Sequence, residues 1–339
     1  MSDAILLVSF GGPEGPEDVI PFLENVLRGK NVPRERMREV ADHYQRFGGR
    51  SPLNDHNRAI LAALRQLLAA EGPALPVYWG NRNWHPLLTE AFAQMQADGI
   101  RRVFAFVTSA FSSYSGCRQY LEDIARAQAE TGTESIEVLK LRPFYRHPGF
   151  LEPVVDALRA ALAGIPEERR QAAVLLYTAH SIPLSMAASS PYVAQLEEAC
   201  RLVSAAVGRS DHRLVYQSRS GPPQQPWLEP DILETLRGLA RDGSVRDVVV
   251  VPIGFVSEHI EVLYDLDTAA RAVAEDLGLR MVRTPTPDSD PRFVAMIREL
   301  VLERRNQTAL PEAIGETPDA AGLCPADCCP APARPPSRS

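Results

Sequence analysis

Glu258, His259, Glu261 and Asp265 crowd eight positions of a 339-residue chain. A second imidazole, His180, stands in the run Thr178-Ala179-His180-Ser181-Ile182-Pro183. An imidazole with a carboxylate can move protons near neutral pH, hold a metal, or do both. Positions 261 and 265 are one helical turn apart and share a helix face. Acidic residues in a first helical turn suit the helix dipole and are often only solvated; that is the better reading for Glu258. It is the weaker one for Glu261, because Val256, Ile260 and Leu263 around it read as buried. A carboxylate in such company needs a proton, a metal or a partner. Ser181 adjoins His180 without a G-x-S-x-G elbow, and no H-E-x-x-H is present. One His and one Glu are too few for a permanent metal cage, which takes three or four ligands. A weak site suits a protein that must release its metal.

These side chains have to be placed by the elements around them. Val248-Val249-Val250-Val251 reads as a strand buried on both faces, ended by Pro252 and Gly254, with Ser257 as the cap of the helix that follows. Glu261 then falls at the carboxyl end of a parallel strand, where open α/β sheets bind ligands. Apolar runs at 4–10, 76–80, 102–108 and 136–141 read as strands alternating with amphipathic helices. Runs at 172–179, 213–217, 247–252 and 279–283 repeat the pattern. Two short matches between the halves, 6–13 with 175–183 and 98–107 with 242–251, suggest a duplication. The expected fold class is α/β, with two Rossmann-like lobes, parallel sheets and the active-site cleft between them. The expected division is 1–145 for the first lobe, 146–305 for the second, which carries His180 and Glu261, and 306–339 for a Pro/Ala-rich tail. Phe111, Tyr114, Tyr120 and Trp227 are candidates to line the cleft for a large, flat, apolar ligand.

The net charge is −7, and no Lys/Arg run reads as a basic patch, so no nucleic acid is expected. The first residues enter a strand without a basic leader, and no apolar run reaches the ~20 residues of a membrane span. A cytoplasmic protein without a stable membrane anchor is the default. Five cysteines are an odd number for a disulfide framework. Cys324, Cys328 and Cys329 cluster in the tail, and Cys117 and Cys200 stand alone. Three thiols cannot close a four-coordinate site without a further ligand.

The run around His180 resembles the ferrochelatase family. So do Tyr216-Gln217-Ser218-Arg219-Ser220-Gly221-Pro222 and Pro252-Ile253-Gly254-Phe255-Val256-Ser257-Glu258-His259-Ile260-Glu261. Phe10-Gly11-Gly12-Pro13-Glu14 and Gly48-Gly49-Arg50-Ser51-Pro52-Leu53 are similar to its N-terminal lobe. The resemblance covers about 1–305 and implies a chelatase-like fold and insertion of Fe(II) into a porphyrin in haem biosynthesis. The segments 78–84 and 112–120 resemble the actinobacterial branch, which implies coproporphyrin III as substrate; protoporphyrin IX is the alternative.

By the same resemblance His180 is the base or a transient ligand at the porphyrin centre. Glu261 is its partner across the ring, a ligand for Fe(II) and a proton acceptor. Ser51 and Tyr120 contact the porphyrin carboxylates, and Arg28 and Arg46 are further candidates, since Arg pairs bidentately with carboxylates. Two departures stand out. Phe10 replaces a Tyr that can ligate iron in some members, and Ala269 interrupts an acidic ladder after Asp265. The tail thiols resemble the ligands of a 2Fe–2S cluster, completed by one internal Cys. Pro153 occupies the usual internal position, which leaves Cys200, or else Cys117. A monomer that hands its product to the next haem-pathway enzyme is the expected working form. The rival readings are a chelatase for another metal and tetrapyrrole, a non-catalytic porphyrin or haem carrier, and a two-lobe solute-binding protein.

Overall fold

The computed structural model describes residues 2–29, 32–221, 224–306 and 327–331. Eight strands form two parallel sheets. The first holds β1 (Asp3–Ser9), β2 (Val77–Asn81), β3 (Arg102–Val107) and β4 (Glu137–Lys140) in the order β2-β1-β3-β4. The second holds β5 (Val174–His180), β6 (Arg213–Gln217), β7 (Asp247–Val251) and β8 (Arg280–Arg283) in the order β6-β5-β7-β8. The two orders are the same, so β1 corresponds to β5 and β3 to β7, the correspondence that the short sequence matches suggest. All eight strands fall where the apolar runs put them.

Helices cover both faces of each sheet, which is why β1 and β7 are buried at every residue and show no polar alternation. In each sheet the connections leave the two central strands toward opposite edges. The crevice at such a switch point, outside the carboxyl ends, is where α/β folds receive ligands. His180 ends β5 and Glu261 follows β7, so both fall at the switch point of the second sheet.

One hydrophobic core joins the halves, with Phe104, Phe106, Phe144, Phe150, Tyr177 and Phe293 at its centre. Phe106 and Phe144 stack at 5.1 Å. The last helix, Pro291–Asn306, which the sequence assigns to the second lobe, packs against helix Leu53–Glu71 of the first half and helix Pro148–Ala163 of the second. Arg298 donates to the Glu71 carbonyl at 3.0 Å, and Arg142 pairs with Glu303 at 2.8 Å. This helix braces the two sheets around the space between them.

Candidate active site

A cleft of about 760 Å³ opens between the carboxyl ends of the sheets, lined from the first half by Phe10, Ser51, Arg82 and Tyr120 and from the second by His180 and Glu261. That volume is in the range of small-molecule sites. His180 Nε2 lies 3.5 Å from Glu261 Oε2, and the two side chains are 35% and 49% exposed, open to the cleft. His180 Nδ1 lies 2.5 Å from the Ser181 carbonyl oxygen. A carbonyl only accepts, so Nδ1 carries the proton, and in the neutral ring Nε2 presents its lone pair to the cleft and to Glu261. Gly254 lets the β7 loop reach this point. A Cβ there would stand 2.7 Å from Ala179, and the Gly254 N–H donates to the Thr178 carbonyl at 3.0 Å.

Burial works against charge on His180, but the hydrogen bond and negative charge of Glu261 outweigh it and raise the pKa above the ordinary 6.5. Burial would likewise raise Glu261. The hydrogen bond and charge of His180, with His259 and His43 beyond it, instead hold that carboxyl well below the usual range. The partner expected for Glu261 is therefore His180, which stands beside it on the same side of the cleft and not across a ring, because His180 ends β5 and Glu261 follows β7, neighbouring strands of one sheet; the carboxylate stays ionised.

Asp265 behaves in the opposite way. Burial pushes it up to about 6, against the hydrogen bond from Ser218, and the charge of Glu261 adds to the rise. Ser218 Oγ donates to Asp265 Oδ2, as does Gln217 Nε2 at 3.4 Å. Residues Leu263–Ala270 run as a π-helix, wider than the regular helix the spacing predicts. Such widened turns gather at functional sites. The first half has a shorter one at the corresponding place, Tyr114–Arg118 after β3.

Two local expectations change. Glu258 is not solvated: it is half-buried and pairs with Arg283 at 2.6 Å, which also holds Asp267. It fastens the loop after β7 to β8. Ser257 does not cap the helix, because the cap position falls two residues later, at the extended His259, and the helix begins at Ile260. Ser257 lines the cleft instead, and its buried Oγ has no hydrogen-bond partner among the described residues. His259 also lines the cleft, packed on Phe255 at 5.1 Å, with its pKa lowered by burial.

On the first-half side Ser51 is buried at the cleft edge. Gly12 makes room for it, since a Cβ there would lie 2.7 Å from that of Ser51. Tyr120 is buried under Arg82, whose guanidinium stands 4.4 Å over the ring and 5.8 Å from that of Phe10. Arg82 is ion-paired with Asp123, both 7% exposed, and Arg126 holds the other oxygen of Asp123 at 2.8 Å. Sequence reasoning missed this pair. Its one signal was the polar Asn81-Arg82-Asn83 run at a strand end. Arg28 lines the cleft, exposed and bonded to Asn25 at 2.6 Å. Arg46 is not among the lining residues: its guanidinium lies 5.6 Å over the ring of Tyr264, on which His43 also stacks at 3.6 Å.

The cysteines regroup. Arg118 donates to the Cys328 carbonyl at 3.2 and 2.9 Å and docks residues 327–331 on the turn that carries Cys117. Burial, then the neighbouring Cys117, raises the Cys329 thiol. Cys200 has a different setting. It is wholly buried on helix Tyr192–Ala206 in the core beside Tyr177 and Tyr216, and burial pushes its thiol far up. Cys324 lies outside the described residues. Among the described residues no group of three or more His, Cys, Asp or Glu is arranged to hold a metal ion.

Comparison with known proteins places this geometry. The fold is similar to that of the cobalt-bound sirohydrochlorin chelatase of Bacillus subtilis subspecies spizizenii. The TM-score is 0.53 and the identity 14%, covering 91% of this chain and 97% of that one. Coproporphyrin III ferrochelatase of Streptomyces coelicolor is 52% identical over 351 residues, covering 97% of this chain and 93% of that protein. Coproporphyrin III ferrochelatase of Frankia alni is 53% identical over 349 residues, covering 99% and 89%. Ferrochelatase of Rhodopirellula baltica is 51% identical over 327 residues, covering 96% and 93%. The Ferrochelatase family model matches residues 2–305, and this chain belongs to the ferrochelatase family.

Proposed function

We propose that this chain inserts Fe(II) into coproporphyrin III in the cleft between its two sheets, with release of the two pyrrole protons. The observation that carries the reading is the His180–Glu261 pair, 3.5 Å apart and facing a cleft large enough for a small-molecule substrate. The coproporphyrin part is supported by the names of the Streptomyces and Frankia relatives.

The chemistry follows from the protonation states. A porphyrin lying between the sheets brings its central N–H groups toward His180. The unprotonated Nε2 takes a proton, and the ionised Glu261 stabilises the imidazolium that forms. Glu261 also offers carboxylate oxygens to the incoming Fe(II), which sheds water as it enters the ring. Asp265, pushed up to about 6, sits next in line behind Glu261 and accepts a proton at a pH close to neutral. Ser51, Tyr120 and Arg28 take the porphyrin carboxylates, with the Arg82–Asp123 pair holding the Tyr120 wall in place. Arg46 is left out of this set, since it serves the Tyr264 ring.

The resemblance implies a 2Fe–2S cluster on Cys324, Cys328 and Cys329 with one internal Cys, and we infer that the internal candidate is Cys117 and not Cys200. The resemblance alone carries the cluster: Cys117 neighbours Cys329, whose thiol burial raises against the smaller opposing charges of Lys140 and Arg118, and among the described residues no three ligands are arranged for a metal ion. The insertion step does not pass through this cluster. Visible absorbance of anaerobically purified protein that is lost in Cys117→Ser and kept in Cys200→Ser is the expected result; the reverse would remove Cys117 from the set. On this reading the chain is a cytoplasmic monomer that passes its product to the next enzyme of the haem pathway. Among the described residues no helix is long and apolar enough to cross a membrane.

The test is anaerobic insertion with Fe(II), offering coproporphyrin III and protoporphyrin IX in parallel. Turnover of coproporphyrin III is expected. Preference for protoporphyrin IX would overturn the substrate, and tight binding of both without turnover would leave a carrier.

A further inference from the structure

Helix Tyr192–Ala206 presents residues 192, 195 and 198, three apart on one face, to the junction between the halves. Tyr192 Oη donates to the His180 carbonyl at 3.0 Å, and burial keeps that phenol protonated and a donor. Three residues on, the Gln195 amide grips Ser112 at two points. Gln195 Oε1 accepts from the Ser112 backbone N–H at 2.7 Å, and Gln195 Nε2 donates to Ser112 Oγ at 3.1 Å. Glu198 then accepts from Tyr145 Oη at 3.1 Å and pairs with Arg146 at 3.6 Å.

Ser112 is 4% exposed and sits directly before Ser113, Tyr114, Ser115 and Gly116, which line the cleft. The turn packs closely at Gly116, where a Cβ would stand 2.7 Å from Ser109 Oγ. One helical turn therefore holds the strand end that carries the proposed base at one position and the opposite wall of the cleft at the next. The wall and His180 belong to different sheets, and the two-point grip on Ser112 ties them at the site itself.

We propose that Gln195 is a positioning residue that fixes the offset between His180 Nε2 and a porphyrin seated on the first-half wall. The inference rests on the chelatase reading and goes beyond it. Gln195 is not among the residues that line the cleft. It acts through Ser112 on one side and, by way of its own helix and Tyr192, through His180 on the other. Proton transfer needs hydrogen-bond reach, so a small slip of the wall affects the chemical step more than binding.

The test compares wild type, Gln195→Ala and Gln195→Glu. Glutamate keeps the acceptor for the Ser112 N–H, and its second oxygen accepts from the Ser112 hydroxyl, which can rotate to donate. For Gln195→Ala the expected kcat for Fe(II) insertion falls about 10- to 100-fold, while porphyrin affinity, read from the Soret band without metal, changes far less. Gln195→Glu is expected to recover most of the rate. Gln195→Ala with wild-type kcat, whatever its melting temperature, would overturn the proposal, as would Gln195→Glu as slow as Gln195→Ala. A wild type that inserts no iron would overturn the chelatase reading and this inference with it.

Discussion

At the end of β1 the chain places Phe10, and at the corresponding end of β5 it places His180. After β3 it places Ser113 and Tyr114 on a widened helical turn, and after β7 it places His259, Glu261 and Asp265 around another. Backbone and topology repeat, yet the paired imidazole and carboxylate stand in the second half, while the first half's Asp123 is tied up by Arg82 and Arg126. The first half offers the cleft an aromatic ring, hydroxyls and an arginine already neutralised by Asp123. On the proposed function the repeated scaffold divides its work: one switch point would seat a flat ligand, and the other would meet its centre with acid–base groups.

Loss of the acid–base half is expected to have the largest effect. Glu261→Ala should lower kcat about 10²- to 10⁴-fold, the range for a lost proton-transfer partner, with porphyrin binding retained. Stopped-flow insertion set beside Soret titration would separate the two.

The next expectation concerns the buried pair of the seating half. Arg82→Leu leaves Asp123 buried with only Arg126, so stability should fall by about 3–5 kcal/mol, measurable by urea unfolding. An unchanged midpoint would show that the pair does not hold the wall.

A subtler effect is on pH. His180 acts as a base only when unprotonated, and Glu261 raises its pKa above the ordinary 6.5, so the rate falls as pH drops through that raised value. Glu261→Gln removes the charge but keeps the shape. Burial then dominates, and the acid limb of the residual activity should move to lower pH. An acid limb that stays in place would mean that another group titrates.

Phe10→Tyr tests the asymmetry from the other side. It gives the seating half an oxygen opposite His180, and the expected outcome is slower product release with binding intact, read as a burst followed by a reduced steady rate. The smallest effect belongs to Glu258→Gln. It should leave kcat unchanged and cost about 1–3 kcal/mol of stability, because the acceptor for Arg283 loses its charge.

The fold was largely legible in the sequence, because strands buried on both faces leave unbroken apolar runs and parallel connections leave helical periods between them. His180 and Glu261 were legible as chemistry because each follows such a run. Contacts that depend on distant segments were not. Arg82 and Asp123 are 41 positions apart and carry no spacing signal. The grip of Gln195 on Ser112 joins different halves. Ser257 has the right type for a cap, but the helix starts later and its cap position is His259. Choosing between Cys117 and Cys200 needed the packing, since one lies on a turn that meets the tail and the other inside a core helix.

The most direct measurement is anaerobic Fe(II) insertion into coproporphyrin III by wild type and His180→Ala, with porphyrin affinity determined on the same samples. Loss of about 10²- to 10⁴-fold in kcat with affinity preserved is the expected result, because the seating half is untouched. Turnover by His180→Ala at the wild-type rate would contradict the assignment of acid–base chemistry to the second half.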